Sequence, residues 1–370
     1  MRIVGIIFVL LLYGCEQPRH EGKAPRINIT SALGAADAAG FDTVRGERAF
    51  FFPKDHGPHS RFRQEWWYFT GHLYDDKHAE YGFQATFFRV GLSPEKSKRP
   101  SAWSAQNVFM AHFAVTDVAN KKFYATERFA RDAINMAGAK LFPFRVWVED
   151  WQLSSDDDNE WPWQLRLQQK DVALNLSLER KKREVLQGEN GMSRRSASGK
   201  ASYYYSIPRV AVKGTMRIEN KQREVKGQAW LDREWSTSAL SKDQVGWDWF
   251  SLQLNDKTEI MYYRYRREDG SSDPASQGTF INYNNESRPL HSDDVSIDEM
   301  AFWQSPRSGV RYPSHWKIHL KSLRKSYELV PLIEDQELNL SVRYWEGAVR
   351  ILDDGRDVGR GYVELVGYGG

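Results

Sequence analysis

The hydrophobic and polar positions of this chain alternate in short runs rather than recurring every third or fourth residue. In "RQEWWYFTGHL", Arg63 to Leu73, a period of two puts Glu65, Trp67, Phe69 and Leu73 on one face. Trp66, Tyr68, Thr70 and His72 take the other. "VALNLSLER" separates Val172, Leu174, Leu176 and Leu178 from Asn175, Ser177 and Glu179 in the same way. "RVWVEDWQL" and "WPWQLRLQQ" read as strands flanking the polar turn "SSDDDNE". "WFSLQLNDKTEIMYYRYRREDG" reads as strand, turn, strand and Asp-Gly turn. Only "FARDAINMAGAK", Phe129 to Lys140, carries a modest helical period.

Many short strands with turn signals every ~8–12 residues predict an all-β chain built of sandwiches or barrels. A length of 370 residues predicts two of them. The polar stretch from Ser236 to Gln244, between Trp-rich strands, is the expected seam, giving units at 49–238 and 239–370.

The first residues read differently. "MRIVGIIFVLLLYGCEQ" has one basic residue, an apolar run from Ile3 to Leu12, then Tyr13-Gly14-Cys15. The run falls short of the ~20 residues a membrane-spanning helix needs, and fits a signal peptide over residues 1–14. Leu12 to Cys15 resembles a bacterial lipobox, which implies lipidation of Cys15 and, with Glu16 following, an outer-membrane anchor facing the periplasm. Residues 15–48 read as its tether. Cys15 is the only cysteine, so no internal disulfide forms.

Charge and composition narrow the function. Lys and Arg number 52 against 49 Asp and Glu, which gives no electrostatic case for nucleic acid. The 14 tryptophans imply a bulky aromatic core or walls that hold flat apolar molecules. "GMSRRSASGK" fails the spacing of a hydrolase nucleophile elbow, and no phosphate-binding loop appears. The glycines of "GRDVGRGY" read as turn and barrel closure. Asp156, Asp157 and Asp158 lack the glycine and terminal glutamate of a calcium loop and read as a hairpin tip. His56 with His59, placed before the fold proper, and His315 with His319 in strand-like text make poor metal pairs, so no metal is expected.

Charged residues embedded among aromatics stand out instead. "AWLDREWSTS" places Asp232 and Glu234 on the face of Trp230, with Arg233 and Trp235 opposite. "GWDWFSLQL" sets Asp248 between Trp247 and Trp249, and "FQATFFRV" ends on Arg89. "FMAHFAVTD" adds His112, and "ASYYYS" adds Tyr204 among three tyrosines. Such groups are either Arg–carboxylate pairs fixing strand register or acids in a pocket. An acid in an apolar pocket has a raised pKa and can donate a proton, and aromatic faces can stabilise positive charge above it. Asp232 and Glu65 are the candidate acids. Trp67, Arg89, His112, Tyr204, Glu234, Trp235, Asp248 and Trp249 are the candidate ligand-binding residues; of these and the two acids, Glu65, Arg89, Asp232, Glu234 and Asp248, with Trp67, Trp235 and Trp249, are expected around one cavity. For Glu65 two readings stand: a salt bridge to Arg89 or Arg233, or an acid facing a ligand.

Taken in order, "EWWYFTGHL", "FFRVGL", "MAHFAVTD", "SYYYSIPR", "GQAWLDREWSTSAL", "QVGWDWFSLQL", "YPSHWKIHL", "YWEGAV" and "GRGYVELVGY" resemble the AttH-type branch of the carotenoid hydratase (CrtC-like) lipocalin-like superfamily. The resemblance runs from about Phe50 to the C-terminus. It implies two tandem lipocalin-like antiparallel β-barrels with a ligand cavity near or between them, and no cofactor. It also implies large apolar substrates, since the superfamily includes hydratases and pericyclases, and an association of AttH-type members with ABC transporters. One departure bears on chemistry. The carotenoid hydratases carry an Asp-His-Asn-Trp type motif where this chain has Asp232-Arg233-Glu234-Trp235, and an acid in the region where it has Arg264 and Arg266 in "MYYRYR". Losing both removes plausible proton donors.

Two functions are therefore expected. The first is a lipid-anchored periplasmic carrier of an apolar molecule or lipid, partnered with an ABC transporter permease. The alternative is a cofactor-independent hydratase, isomerase or hydrolase acting on a polyene, terpenoid or lipid. A cavity carboxylate with a strongly raised pKa separates the second from the first.

Overall fold

The computed structural model describes residues 39–95, 101–156, 160–196, 199–237 and 240–369. Cys15, the signal segment, most of the tether, Asp157, Asp158 and two residues of the expected seam lie outside that set. Its regular elements, among the described residues, are all β-strands apart from three short 3₁₀ turns.

The first sheet opens with β1 (Gln64–Asp75), β2 (Glu80–Gly91), β3 (Asn107–Asp117) and β4 (Lys122–Arg131). Next come β5 (Ala137–Lys140), β6 (Arg145–Val148), β7 (Trp151–Ser155), β8 (Trp163–Gln168) and β9 (Val172–Arg180). The short β10 (Val185–Leu186) and β11 (Met192–Arg194) precede the long β12 (Ala201–Ile218) and β13 (Lys221–Ser236). Its order is β4-β3-β2-β1-β13-β12-β9-β8-β7-β6-β5, with β10 and β11 both on β12. The outer strands β4 and β5 come into contact, so the sheet curls into a nearly closed barrel.

The second sheet starts with β14 (Gln244–Leu254), β15 (Glu259–Arg267), β16 (Gln277–Ile281), β17 (Ser287–His291) and β18 (Val295–Gln304). It ends with β19 (Arg311–Leu320), β20 (Lys325–Pro331), β21 (Glu337–Asn339), β22 (Arg343–Asp353) and β23 (Arg356–Val366). Its order is β17-β16-β15-β14-β23-β22-β20-β19-β18, with β21 on β22, a half-barrel.

The period-two pattern decides which side chains fill each barrel. Trp67, Phe69 and Leu73 of β1 join Leu174, Leu176 and Leu178 of β9 in the first core, together with Trp151 and Trp163. Phe250 and Leu252 of β14 join Trp316, Trp345 and Val363 in the second. Alternation fails where the two sheets face one another. In β13 the first half alternates, whereas all eight residues from Ala229 to Ser236 are buried. The first eight residues of β12 are buried on both faces too, as is most of β1. The second sheet covers them: Tyr68, Tyr204 and Trp230 pack with Trp249, Met261, Tyr263 and Tyr362 in a third core between the sheets.

Two expectations are corrected. Phe129 to Lys140 is no helix, because it ends β4, makes a 3₁₀ turn at Ala133–Asn135 and starts β5. Its apolar residues Ala130 and Ala137 face the first core, which strand pairing serves better than a lone helical turn. The tether does not extend to Arg48: Phe41 and Val44 are buried, and Tyr203 Oη donates to the Gly46 carbonyl at 2.8 Å.

Candidate functional site

Antiparallel register builds one wall of an inter-sheet cleft from two adjacent rungs. Thr86, Tyr68, Asp232 and Ser206 stand side by side across β2, β1, β13 and β12, and Phe88, Trp66, Glu234 and Tyr204 form the next rung. The facing wall repeats the device on the second sheet. Tyr263, Trp249, Glu364 and Glu346 share a rung across β15, β14, β23 and β22, and Tyr265 and Trp247 share its neighbour. Arg195 and Leu240 complete the lining of a partly open cavity. Eight of its lining side chains are aromatic and three are carboxylates.

The carboxylates differ in what holds them. Asp232 is 3% exposed and receives hydrogen bonds from the Tyr204 hydroxyl at 2.5 Å, the Trp230 indole at 2.6 Å and the Ser206 hydroxyl. All three donors are neutral. Burial pushes its carboxyl up to about 7, against the pull of those donors and with help from nearby Glu234. Glu364 has one hydrogen bond, from Trp247 Nε1 at 2.7 Å, and burial beside Asp232 and Glu234 raises it to about 7 as well. Glu234 is paired with Arg195, whose guanidinium also lies 5.6 Å over the Trp66 ring. Behind the lining, buried Glu346 accepts from the Tyr68 hydroxyl at 2.5 Å, and desolvation together with Glu364 drives its pKa well above the carboxylate range. One guanidinium thus faces several acids, and at neutral pH protons must supply the rest of the balance.

The family model for AttH-like proteins matches residues 43–368. The chain belongs to the AttH-like family. A crystal structure of a Nitrosomonas europaea protein assigned as an AttH superposes with a TM-score of 0.81 at 33% identity, covering 89% of this chain and 99% of that one. Kievitone hydratase from Nectria haematococca aligns with a TM-score of 0.66 at 16% identity, over 88% of this chain and 95% of its own. CghA, solved with Sch210972, gives 0.55 at 13% identity over 90% of this chain and 97% of that chain. These two share the fold. No curated protein sequence gives a match.

The candidate residues of this AttH-like protein do not form one cluster. Asp232, Glu234, Tyr204 and Trp249 line the cleft. Glu65, Trp67, Arg89 and Trp235 lie on the opposite faces of their strands, inside the first barrel. There Glu65 is bound by Arg89 Nε and by Arg233 Nη2 at 3.0 Å, and the His59 amide donates to both its oxygens. Arg233 sits 3.9 Å over Trp67, and His59 stacks on Trp235 with ring centroids 3.6 Å apart. Two guanidiniums overcome desolvation and hold Glu65 well below the usual carboxylate range. It is a buried ionic clamp.

Asp248 follows the same logic in the second barrel. It shares a face with Phe250 and Leu252 and is held by Arg264 Nε at 2.9 Å and Arg266 Nε at 3.0 Å. His112 lies between the sheets but outside the cleft lining; its Nδ1 is 2.7 Å from Tyr344 Oη, and burial lowers it to about 3, so it stays neutral. His56 is not ahead of the fold. It is buried in the first barrel, 2.6 Å from Tyr205 Oη and 3.0 Å from Glu160, with Glu184 near. These three have a metal-ligand arrangement, but Arg180 already bridges both glutamates and supplies the positive charge there.

Sequence reasoning missed Glu364, Tyr263, Tyr265 and Arg195, and took Trp247 only as a flank of Asp248. For Glu364 a signal was present: in "GYVELVGY" it alternates with Val363 and Leu365 and so cannot share their core-facing side.

Proposed function

We propose that this AttH-like protein is a cofactor-independent acid–base catalyst of the hydratase–isomerase type, working on an unsaturated, largely apolar substrate held in the inter-sheet cleft. The observation that carries this reading is Asp232: a carboxyl on the cavity wall, held by three neutral donors and no cation, protonated up to about pH 7. A general acid is most effective when its pKa lies near the working pH. In the proposed step the Asp232 O–H bond breaks as a C–H bond forms on a substrate double bond. Aromatic faces stabilise the cationic carbon. Water captures that carbon and gives up a proton to the Asp232 carboxylate just formed, or a neighbouring C–H loses its proton to the same carboxylate and the double bond moves; either way the acid is regenerated. The hydratase activity named for the kievitone enzyme, which shares the fold, agrees with this class.

The test starts from the cleft's natural occupant. Protein purified from its own membranes is examined by native mass spectrometry, and the released molecule is returned to fresh enzyme in heavy water. The expected product gains the mass of water or carries deuterium at carbon, and Asp232→Asn abolishes the change while still binding the molecule. An occupant that returns unaltered from wild-type protein would sink the catalytic reading. It would favour the second one, a carrier tethered through lipidated Cys15 and serving an ABC transporter, which the eight aromatic lining residues also suit.

A further inference from the structure

We infer that the substrate carries an alkylated ammonium group, seated against the second wall of the cleft between Trp247, Trp249 and Glu364. This names the substrate class of the proposed catalyst, and it rests on that reading only in calling the cation a substrate.

The lining's charges point one way. Among the described residues, three carboxylates face the cavity, and the single cationic side chain there, Arg195, is already bonded to Glu234. An anionic ligand would meet no uncommitted positive charge and several acids. A wholly neutral, apolar ligand fits the rings, but it would press hydrocarbon against Glu364, whose carboxyl has one hydrogen bond. That leaves a polar group desolvated without compensation.

The lining's hydrogen bonds point the same way. The indole N–H of Trp247 is spent on Glu364, that of Trp249 on the Tyr204 oxygen at 3.1 Å, and the Tyr204 and Tyr68 hydroxyls are spent on Asp232 and Glu346. What these side chains retain for a ligand is π density and carboxylate oxygen. Aromatic faces beside an acid recognise alkylated ammonium ions, whose positive charge is spread over C–H groups. A bare primary ammonium is strongly hydrated and asks for three acceptors, which a mostly aromatic wall does not replace.

The two perturbed acids then divide the work. Glu364, with its single donor, pairs with the cation on the second sheet. Asp232, held by three donors on the first, keeps its proton for transfer. An ionic anchor at one end of the cleft also fixes which part of the substrate lies over Asp232.

Isothermal titration calorimetry on the full-length protein decides the matter with two probes: choline and its uncharged isostere 3,3-dimethylbutan-1-ol. Choline is expected to bind at least ~10-fold more tightly than the isostere. Glu364→Gln is expected to erase that preference while isostere affinity stays within about 2-fold, which also shows that the cleft has folded. Equal binding of the two probes, no binding of choline, or a preference that survives Glu364→Gln overturns the assignment. Asp232→Asn separates this from the proton-transfer reading. It should leave the choline preference in place, so a failed cation test with a catalytically competent Asp232 removes the ammonium group alone.

Discussion

At the scale of single residues, the identity of the partner decides whether a buried acid is a structural element or a reagent. Glu65 and Asp232 are both carboxylates on tryptophan-rich strands, and both are almost fully buried. Glu65 meets two guanidiniums and is ionised; Asp232 meets two hydroxyls and an indole and is protonated. The second condition has a measurable cost. The folded chain keeps the Asp232 proton up to about pH 7, whereas the unfolded chain releases it near 3.8. Between those values the folded state binds more protons, so stability falls as pH rises through the window, by roughly 4 kcal/mol once above it. Asp232→Asn keeps an oxygen for Ser206 and Trp230 and turns an N–H toward Tyr204. Chemical denaturation should therefore find the variant more stable than wild type at pH 8 and close to it at pH 4. Equal differences at both pH values would show that Asp232 is ionised in the fold.

At the scale of strands, β1 and β13 do two jobs through parity. Their odd residues fill the first barrel and include the Glu65–Arg233 clamp; their even residues form the cleft wall with Asp232 and Glu234. The clamp ties the segment before β1 to β2 and β13, since Arg89 also bonds the Phe62 carbonyl and Arg233 the Gly57 carbonyl, each at 2.7 Å. Removing its acid leaves two buried guanidiniums. Glu65→Gln is expected to destabilise the protein by ~3–5 kcal/mol at neutral pH, read from the midpoint of urea unfolding. A loss below about 1 kcal/mol would mean the arginines are solvated or re-paired. Because pairing lowers the Glu65 pKa, this contribution is present above its unfolded value of 4.5 and disappears only as pH falls toward the lower folded one.

At the scale of the whole molecule, the two sheets share a core, so neither half is finished alone. Tyr68, Trp230, Trp249, Tyr263 and Tyr362 are buried only because the sheets meet. Glu259 of the second sheet is fully buried, clasped by Lys182 and Arg209 from the first, both at 2.6 Å. Gly82 keeps the approach close: a methyl there would come within 2.7 Å of Ala348 Cβ across the interface. Calorimetry of residues 39–369 should show one cooperative unfolding transition. Two resolved transitions would mean that the shared core contributes little.

The sequence by itself determined the strands, because a period of two is local: "VALNLSLER" and "EWWYFTGHL" sort their side chains wherever they fold. It also placed Asp232 and Glu234 opposite Arg233, and named Arg89 and Arg233 as partners for Glu65. Which faces would be covered could not be read there, since burial of the even side of β1 depends on a second sheet more than a hundred residues away. The helical reading of Phe129 to Lys140 failed because hairpin pairing, of β4 with β3 and of β5 with β6, outweighed a weak local period. Only the tertiary structure put Glu364 across from Asp232, left both without a cation and gave Glu65 two. A carboxylate's protonation is set by whatever the fold brings within a few ångströms of it, and the chain order holds no record of that distance.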